Sequence, residues 1–222
     1  MPKVGCGKTV LFSSIVQSIR GTQHTVGSTS SSAHFYCLYR KGTQHDLALI
    51  LRTFIAQLCP RDHIPDILEE FYDHHSSRFP PSVPLADELK DILHALVGKP
   101  EQAPGHFSKD ERHQSEPKYL LIDALDELPW GSSRDSIITY LDELAGMCIP
   151  NLHILATSRN EYDIRARLHS WPSTLAIDKQ KVAEDIRLYV TSQINKHQEM
   201  SRQKEAIKEL IIRRLVDEGN GM

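Results

Sequence analysis

The residues best suited to chemistry lie at the start of the chain, where Gly5-Cys6-Gly7-Lys8-Thr9 matches the second half of a phosphate-binding loop. In such a loop, backbone N–H groups at a helix N-terminus bind phosphate oxygens, the lysine reaches the β- and γ-phosphates, and a Ser or Thr hydroxyl binds Mg²⁺. Gly7, Lys8 and Thr9 hold the required positions, while Pro2 stands where the full pattern has its first glycine. The motif predicts a site for the phosphates of a nucleotide with Mg²⁺.

A second group of candidate residues, Asp123, Asp126 and Glu127, follows the apolar run Tyr119–Ile122. Four consecutive apolar residues are typical of a strand buried on both faces of a parallel sheet. Ligands bind at the carboxyl ends of such strands, so Asp123 is expected to bind Mg²⁺, and Asp126 or Glu127 to orient the attacking water. The alternative is a strand ending in a solvated acidic turn. Two half-motifs in the right order and context favour a P-loop NTPase.

Four segments resemble the NACHT domains of the STAND class of P-loop NTPases, especially the fungal and nephrocystin-type members. Residues 120–129, LLIDALDELP, are similar to their Walker B segment, and residues 5–16, GCGKTVLFSSIV, to their Walker A helix. His153–Arg159 resembles their next strand, and Asp185–Val190 a stretch that soon follows the core sheet. The resemblance implies that Arg159 senses the γ-phosphate; pairing with a nearby carboxylate is the alternative role for this arginine.

The same resemblance implies a function. A NACHT module binds ATP or GTP with Mg²⁺, hydrolyses it slowly, and switches a larger signalling protein between states through its nucleotide. Protein partners or self-association would then come through the parent protein. Two alternatives are open: a degenerate module that binds no nucleotide and acts through protein contacts, and a small-molecule kinase, which is disfavoured because no acceptor-binding lid is visible in the sequence.

We expect the chain to be truncated at both ends relative to such proteins. No residues before Pro2 could form the strand that leads into the Walker A loop, and the chain ends at Leu215–Met222, where family members continue. The expected domains are an NTPase core over residues 1–178 and the start of a helical region over residues 179–222. Because positioning supplies most of the catalysis in phosphoryl transfer, we expect this chain alone to bind nucleotide weakly and to hydrolyse it negligibly.

Composition excludes several classes of partner. With 26 basic and 29 acidic residues, the formal net charge of −3 gives no support to binding of nucleic acid or an anionic membrane. No apolar run approaches bilayer length, and no signal peptide is visible.

His74 and His75 are predicted to form a surface patch, because no other ligand has zinc-site spacing. Reduced cytoplasmic thiols are favoured because no CxxC pair occurs among Cys6, Cys37, Cys59 and Cys148.

The elements that must position these residues alternate between strand and helix. This order predicts an α/β fold, a three-layer P-loop NTPase domain whose parallel sheet lacks the strand before the Walker A loop, followed by C-terminal helices. The first helix is predicted to end at Gly21 and to bury Val10, Leu11, Ile15, Val16 and Ile19. Strands are predicted at Ala33–Tyr39, Tyr119–Ile122, His153–Thr157 and Ser173–Ile177. Further helices are predicted at Leu47–Leu58 after the cap Asp46, Ile64–Tyr72, Leu85–Val97, Ser136–Met147, Asp163–Leu168, Lys181–Asn195 and Arg202–Val216, with a disordered loop at Gly98–Pro117.

Overall fold

The computed structural model describes residues 7–23, 31–37, 46–60, 64–77, 82–98, 116–177 and 179–219. Two compact units are present: one spans Thr9–Trp171, and the other contains Met1–Lys8 together with Pro172–Met222. Among the described helices, none is long and apolar enough to cross a membrane. The predicted loop at Gly98–Pro117 falls largely on residues 99–115, which lie outside the described ranges, as do Leu38 and Tyr39.

Three parallel strands form the sheet of the larger unit, in the order β1 (Ser31–Tyr36), β2 (Lys118–Asp123) and β3 (Leu152–Ala156). The register pairs Tyr36 with Asp123 and also pairs β2 with β3 in parallel, so all three carboxyl ends lie at one edge. The predicted α/β class and the parallel pairing of these three strands are confirmed. The first strand begins two residues before the predicted start, Ala33.

One face of the sheet carries the main hydrophobic core, formed with α2 (Leu47–Leu58), α4 (Ala86–Val97) and α5 (Ser132–Gly146). The apolar stripe of α2 follows helical spacing and is buried along its whole length. Asp46 caps this helix, because its side chain accepts a hydrogen bond of 2.7 Å from the backbone N–H of Leu49. The shorter helices α3 (Asp66–Ser76) and α6 (Tyr162–Arg167) add partly buried and buried apolar side chains to the same core.

The opposite face is covered by α1 (Lys8–Gln23), which packs through Phe12 and Val16 on Leu121 of β2. The predicted inward stripe is therefore partly wrong. Val10 is 72 % exposed and Leu11 is 53 % exposed, whereas Phe12, which the prediction left out, is fully buried. The rings of Phe12 and Tyr36 meet edge to face at 5.2 Å, and this fit selects the inward side of the helix. Gly21 does not end α1, which continues for two more residues.

Other predictions need correction. Ser173–Ile177 is not a strand: the segment is irregular, and Leu175 is 94 % exposed. The prediction depended on a short apolar run, which by itself does not distinguish a strand from other structures, and within the described ranges no strand pairs with it. His75 is buried, not on the surface. Its Nδ1 lies 2.6 Å from Ser82 Oγ, and its Nε2 lies 3.7 Å from a carboxylate oxygen of Glu88.

The second unit is built from α7 (Lys179–Lys196), α8 (Gln198–Ser201) and α9 (Glu205–Gly219). Its small buried cluster contains Ile194 of α7 with Ile212 and Val216 of α9. The two long helices agree with the predicted pair apart from their ends, and α8 was not predicted. Helix propensity is strong in these segments, but ends depend on tertiary contacts and caps, which explains shifts of a few residues.

Candidate functional site

Gly7 and α1 form the described part of the predicted phosphate-binding loop. Gly7 is exposed and has φ +77°, a left-handed conformation that strains any residue with a Cβ, so the motif glycine matches its backbone here. Helix α1 begins directly after it, at Lys8, and Thr9 is exposed. Gly5 and Cys6 lie outside the described residues. The glycine-to-helix transition is the local geometry that anion binding at a helix N-terminus requires.

The direction of α1 follows from its contacts with β1. Ser13 lies in the first half of the helix, and its hydroxyl is 3.3 Å from that of Tyr36, the last residue of β1. Arg20 lies in the second half, and its guanidinium is 3.4 Å from the ring of His34. The helix therefore runs antiparallel to the strand, and the Thr9 end of α1 points toward the carboxyl edge of the sheet.

Asp123 occupies that edge. It is the last residue of β2 and is 2 % exposed. The hydroxyl of Thr157, just beyond β3, donates a hydrogen bond to Asp123 Oδ1 and accepts one of 2.9 Å from the backbone N–H of Ala124. Thr157 was predicted only as part of the arginine-bearing strand, but it fixes the carboxylate and the start of the next turn together. A buried carboxylate needs such a partner, because desolvation of an unpaired charge is costly.

The acidic turn after Asp123 is a short 3-10 helix, Leu125–Glu127. Ala124 enters it with φ 59° and ψ 51°, a left-handed conformation that is uncommon for alanine. Leu125 and Leu128 flank the two acids and are both buried in the main core. The backbone N–H of Leu125 donates to the carbonyl of Thr157 at 2.9 Å. Apolar anchors and a hydrogen bond to β3 thus hold Asp126 and Glu127 at the sheet edge.

Asp126 and Arg159 bind each other in two ways. Asp126 Oδ1 accepts a hydrogen bond of 2.8 Å from the backbone N–H of Arg159, and Asp126 Oδ2 lies 3.1 Å from the Nε of the same residue. The Asp126 side chain is 5 % exposed, while that of Arg159 is 27 % exposed. The alternative role that the sequence allowed for Arg159, pairing with a nearby carboxylate, is therefore what its guanidinium does in this structure.

The acids at this edge create a local negative field. The thiol of Cys37, directly after β1, has its pKa raised to about 12, first by burial and then by Asp123, Glu127 and Asp126. All three carboxylates therefore lie close enough to one thiol to disfavour its thiolate.

The residues present fit a magnesium–nucleotide complex. Within the described ranges, Thr157 binds Asp123 Oδ1, and Oδ2 has no hydrogen-bond partner. Across the described ranges, no group of three or more His, Cys, Asp or Glu side chains converges as a metal cage. Mg²⁺ does not require such a cage, because it is commonly held by one or two protein oxygens, waters and the phosphates of the nucleotide.

A shallow cleft of about 510 Å³ opens beside the acidic turn. Its walls come from the turn itself, from the exposed Trp130, and from the loop after β3. The lining residues are Asp126, Glu127, Leu128, Pro129, Trp130 and Arg159. The structure thus brings four predicted site residues, Asp123, Asp126, Glu127 and Arg159, to one edge of the sheet.

Sequence reasoning missed Arg134, in the first turn of α5. This side chain is 1 % exposed, although it is charged. It forms ion pairs with Glu161 and with Asp163, the latter at 2.8 Å. In the sequence, Arg134 follows Gly131-Ser-Ser in a polar segment that is typical of a solvated loop. No local pattern indicates its burial, because its two charged partners lie 27 and 29 residues further along the chain.

Comparison with known proteins identifies a family for this chain. The family model described as nephrocystin 3, N-terminal, matches residues 2–159, a range that contains the glycine–lysine loop, the acidic turn and Arg159. No curated protein matches the chain. The matched range covers well over half of the 222 residues and ends at the arginine after β3. The chain belongs to the nephrocystin 3 N-terminal family.

Proposed function

We propose that this chain is the nucleotide-binding module of a NACHT-type STAND protein, which binds ATP or GTP with Mg²⁺ and uses its nucleotide state to switch a larger signalling protein. The observation that carries the proposal is the edge of the sheet at Asp123. A buried carboxylate, an acidic turn and an arginine loop meet there, and the Thr9 end of α1 points to the same edge. Ligands bind at this edge in open α/β sheets.

Each residue of the loop has a role in this proposal. Backbone N–H groups of Gly5, Cys6 and Gly7 bind phosphate oxygens, and the Lys8 ammonium neutralises the β- and γ-phosphates. The Thr9 hydroxyl and Asp123 hold Mg²⁺, with Asp123 oriented by Thr157. When bound, Mg²⁺ offsets the negative charge that the phosphates carry during transfer.

Asp126 or Glu127 orients the attacking water in this proposal. Both carboxylate oxygens of Asp126 bind Arg159, so a water would have to compete with a charged partner and a backbone N–H. Glu127 lies in the same turn and lines the cleft. Arg159 is held by Asp126 here, and a γ-phosphate would offer its guanidinium a second anionic partner; exchange between them gives the sensor a physical basis.

A second candidate function is a degenerate module that binds no nucleotide and acts through protein contacts of its parent. One observation favours it: Pro2 stands at the first glycine of the loop and lacks both the N–H and the φ freedom of glycine. The two candidates differ in one measurable property, the stabilisation of the folded chain by Mg²⁺-nucleotide.

Thermal unfolding with Mg²⁺-ATP or Mg²⁺-GTP, titrated to millimolar concentration, tests the proposal. Ligand at about 100 times its Kd adds about 2.7 kcal/mol to the folded state, and for a chain of this size each kcal/mol raises the Tm by about 2 to 4 °C. We expect Lys8→Ala to abolish the rise. We expect Asp123→Asn to remove the dependence of the rise on Mg²⁺.

Lys90→Ala is the matched control for Lys8→Ala. Lys90 lies on α4, and its ammonium pairs with Asp87 at 2.9 Å, outside the candidate site. The control should keep the full nucleotide-dependent rise. An equal rise in wild type and Lys8→Ala refutes the phosphate role of Lys8. A wild-type Tm that ignores both nucleotides at millimolar concentration selects the degenerate module.

A further inference from the structure

Arg134 binds two separate segments of the candidate site. Its Nη1 donates to the backbone carbonyls of Asp126 and Leu128, each at 3.2 Å, in and directly after the acidic turn. Its Nε and Nη2 donate to Glu161 and Asp163, at the start of α6. The guanidinium therefore lies between the turn that follows β2 and the loop that follows β3.

All five N–H groups of the Arg134 guanidinium have an acceptor. Nε donates once, to Asp163, while Nη1 and Nη2 each donate twice. The Trp130 ring lies over the same group, with its centroid 4.3 Å from Cζ. Such a set fits only the planar fork of arginine, because a lysine ammonium has three donors on one atom and cannot reach four separate residues.

The two segments that Arg134 binds carry the residues proposed to contact the γ-phosphate and its water. Glu127 lies in the acidic turn. Arg159 lies two residues before Glu161, and the backbone N–H of Glu161 donates to the carbonyl of Arg159 at 2.8 Å. The Asp126–Arg159 pair joins the same two segments at the sheet edge. Two attachments on two segments fix both their separation and their relative orientation.

We propose that Arg134 is a positioning residue, which holds the acidic turn and the Arg159 loop in one arrangement so that Glu127 and Arg159 face the same phosphate. This inference rests on the proposed function, because the arrangement has a catalytic or sensing meaning only if a triphosphate binds. Arg134 itself is buried, with a side chain that is 1 % exposed, and is not among the residues that line the cleft beside the acidic turn. Displacement of a reacting group by about 1 Å can cost 100-fold in rate, so a buried clamp of this kind has a measurable effect.

Arg134→Lys tests the inference, with Arg167→Lys as the matched control. Arg167 also links α6 to α5, through Asp135 at 3.2 Å, but its side chain is 42 % exposed and it contacts neither segment of the site. Amide hydrogen exchange is measured first, without ligand. We expect the amides of Leu125 and Arg159 to exchange at least tenfold faster in Arg134→Lys and to be unchanged in the control.

Amide hydrogen exchange also distinguishes a positioning role of Arg134 from a general contribution to stability. A purely structural role would accelerate the amides of β1 and α2 by the same factor as those of the two segments, because all would exchange through global unfolding. That uniform result overturns the inference. If Arg134→Lys does not fold, Glu161→Gln replaces it, since this change removes one charged partner of Arg134 and keeps the guanidinium.

The second measurement is the ratio of Kd values for Mg²⁺-ADP and Mg²⁺-ATP. We expect the preference of the wild type for the triphosphate to fall about tenfold in Arg134→Lys, because one misplaced charge-assisted contact is worth about 1.4 kcal/mol. The preference should persist in Arg167→Lys. A wild type that binds triphosphate, with an unchanged ratio in Arg134→Lys, overturns the positioning role alone. A wild type that binds neither nucleotide overturns the proposed function, and the positioning role with it.

Discussion

The two faces of the sheet are packed very differently. The face toward α2, α4 and α5 contributes to an extensive core that includes Phe54, Leu93 and Ile138. Among the residues that the structure describes, the face toward α1 has a small cluster around Phe12, Val16 and Leu121. Local opening requires less free energy where fewer apolar contacts must be broken. Helix α1, which follows the candidate phosphate loop, therefore lies on the more weakly packed face. Ligand binding can change local order most on this face.

The largest expected difference between the faces comes from two matched phenylalanines. Phe54 on α2 and Phe12 on α1 are both buried, so truncation to alanine removes a similar buried side-chain area at each position. We expect Phe54→Ala to lower the free energy of unfolding by about 3 to 5 kcal/mol, as truncation in a large core does. Phe12→Ala should cost less globally, because α1 can detach before the sheet unfolds. Urea unfolding measures both changes.

Hydrogen exchange shows whether α1 and α2 open separately. Phe12→Ala should accelerate the amides of α1 and leave those of α2 nearly unchanged, whereas Phe54→Ala should accelerate both helices. Equal losses of stability, with equal exchange profiles in the two variants, would contradict the idea that the faces open separately.

A smaller difference is expected from two threonines. Thr157 links β3 to the buried Asp123 and to the N–H of Ala124, whereas the hydroxyl of Thr53 bonds only within α2, to the carbonyl of Leu49 at 2.8 Å. Thr157→Val should lower stability by about 1 to 3 kcal/mol, because it removes a partner from the buried Asp123 carboxylate and from the partly buried N–H of Ala124.

Thr53→Val is the control for this change, and its cost should lie within about 0.5 kcal/mol, since a hydroxyl bonded to its own helix contributes little. Chemical denaturation of both variants at pH 7 gives the two changes in the free energy of unfolding. Near-equal values would show that the Thr157 link is energetically no more important than an ordinary helical hydroxyl.

The parts of the fold that the sequence predicted are those with a local signal. Tyr119–Ile122 is apolar throughout and ends in an acid, so both β2 and the edge position of Asp123 could be predicted. The stripe of α2 and its cap Asp46 are equally local. The glycine–lysine motif predicted the start of α1, and Gly7 has the left-handed backbone that this motif uses.

The parts that the sequence did not predict depend on tertiary contacts. Arg134 is buried because carboxylates from a distant segment and carbonyls from the preceding turn converge on it. The inward side of α1 is set by the fit of Phe12 against Tyr36, while the hydrophobic pattern also allowed Val10 and Leu11. The pairing of Asp126 with Arg159 likewise depends on how closely two turns approach. Local spacing contains none of this information.

The smallest expected difference between the faces is in their response to acid, because each face carries a partly buried histidine whose pKa is lowered. Burial lowers the pKa of His34, next to α1, and the charge of Arg20 lowers it further. Burial likewise lowers the pKa of His94 on α4, and there Asp91 raises the pKa while Lys90 lowers it. Both folded-state pKa values thus lie below the ordinary value of 6.5.

The sign of the pH dependence follows from these shifts. The folded state favours the neutral ring of each histidine. The contribution of each histidine to folding stability is therefore fully present above about pH 6.5 and is lost as the pH falls through the folded-state pKa. His34→Gln should reduce the loss of protection of the α1 amides between pH 7.5 and pH 5.5, with each exchange rate divided by its intrinsic rate at that pH. His94→Gln should reduce the loss of global stability in urea over the same pH range. If His34→Gln changes only global unfolding and leaves α1 exchange untouched, then α1 is not the separately opening element that the weak packing of its face indicates.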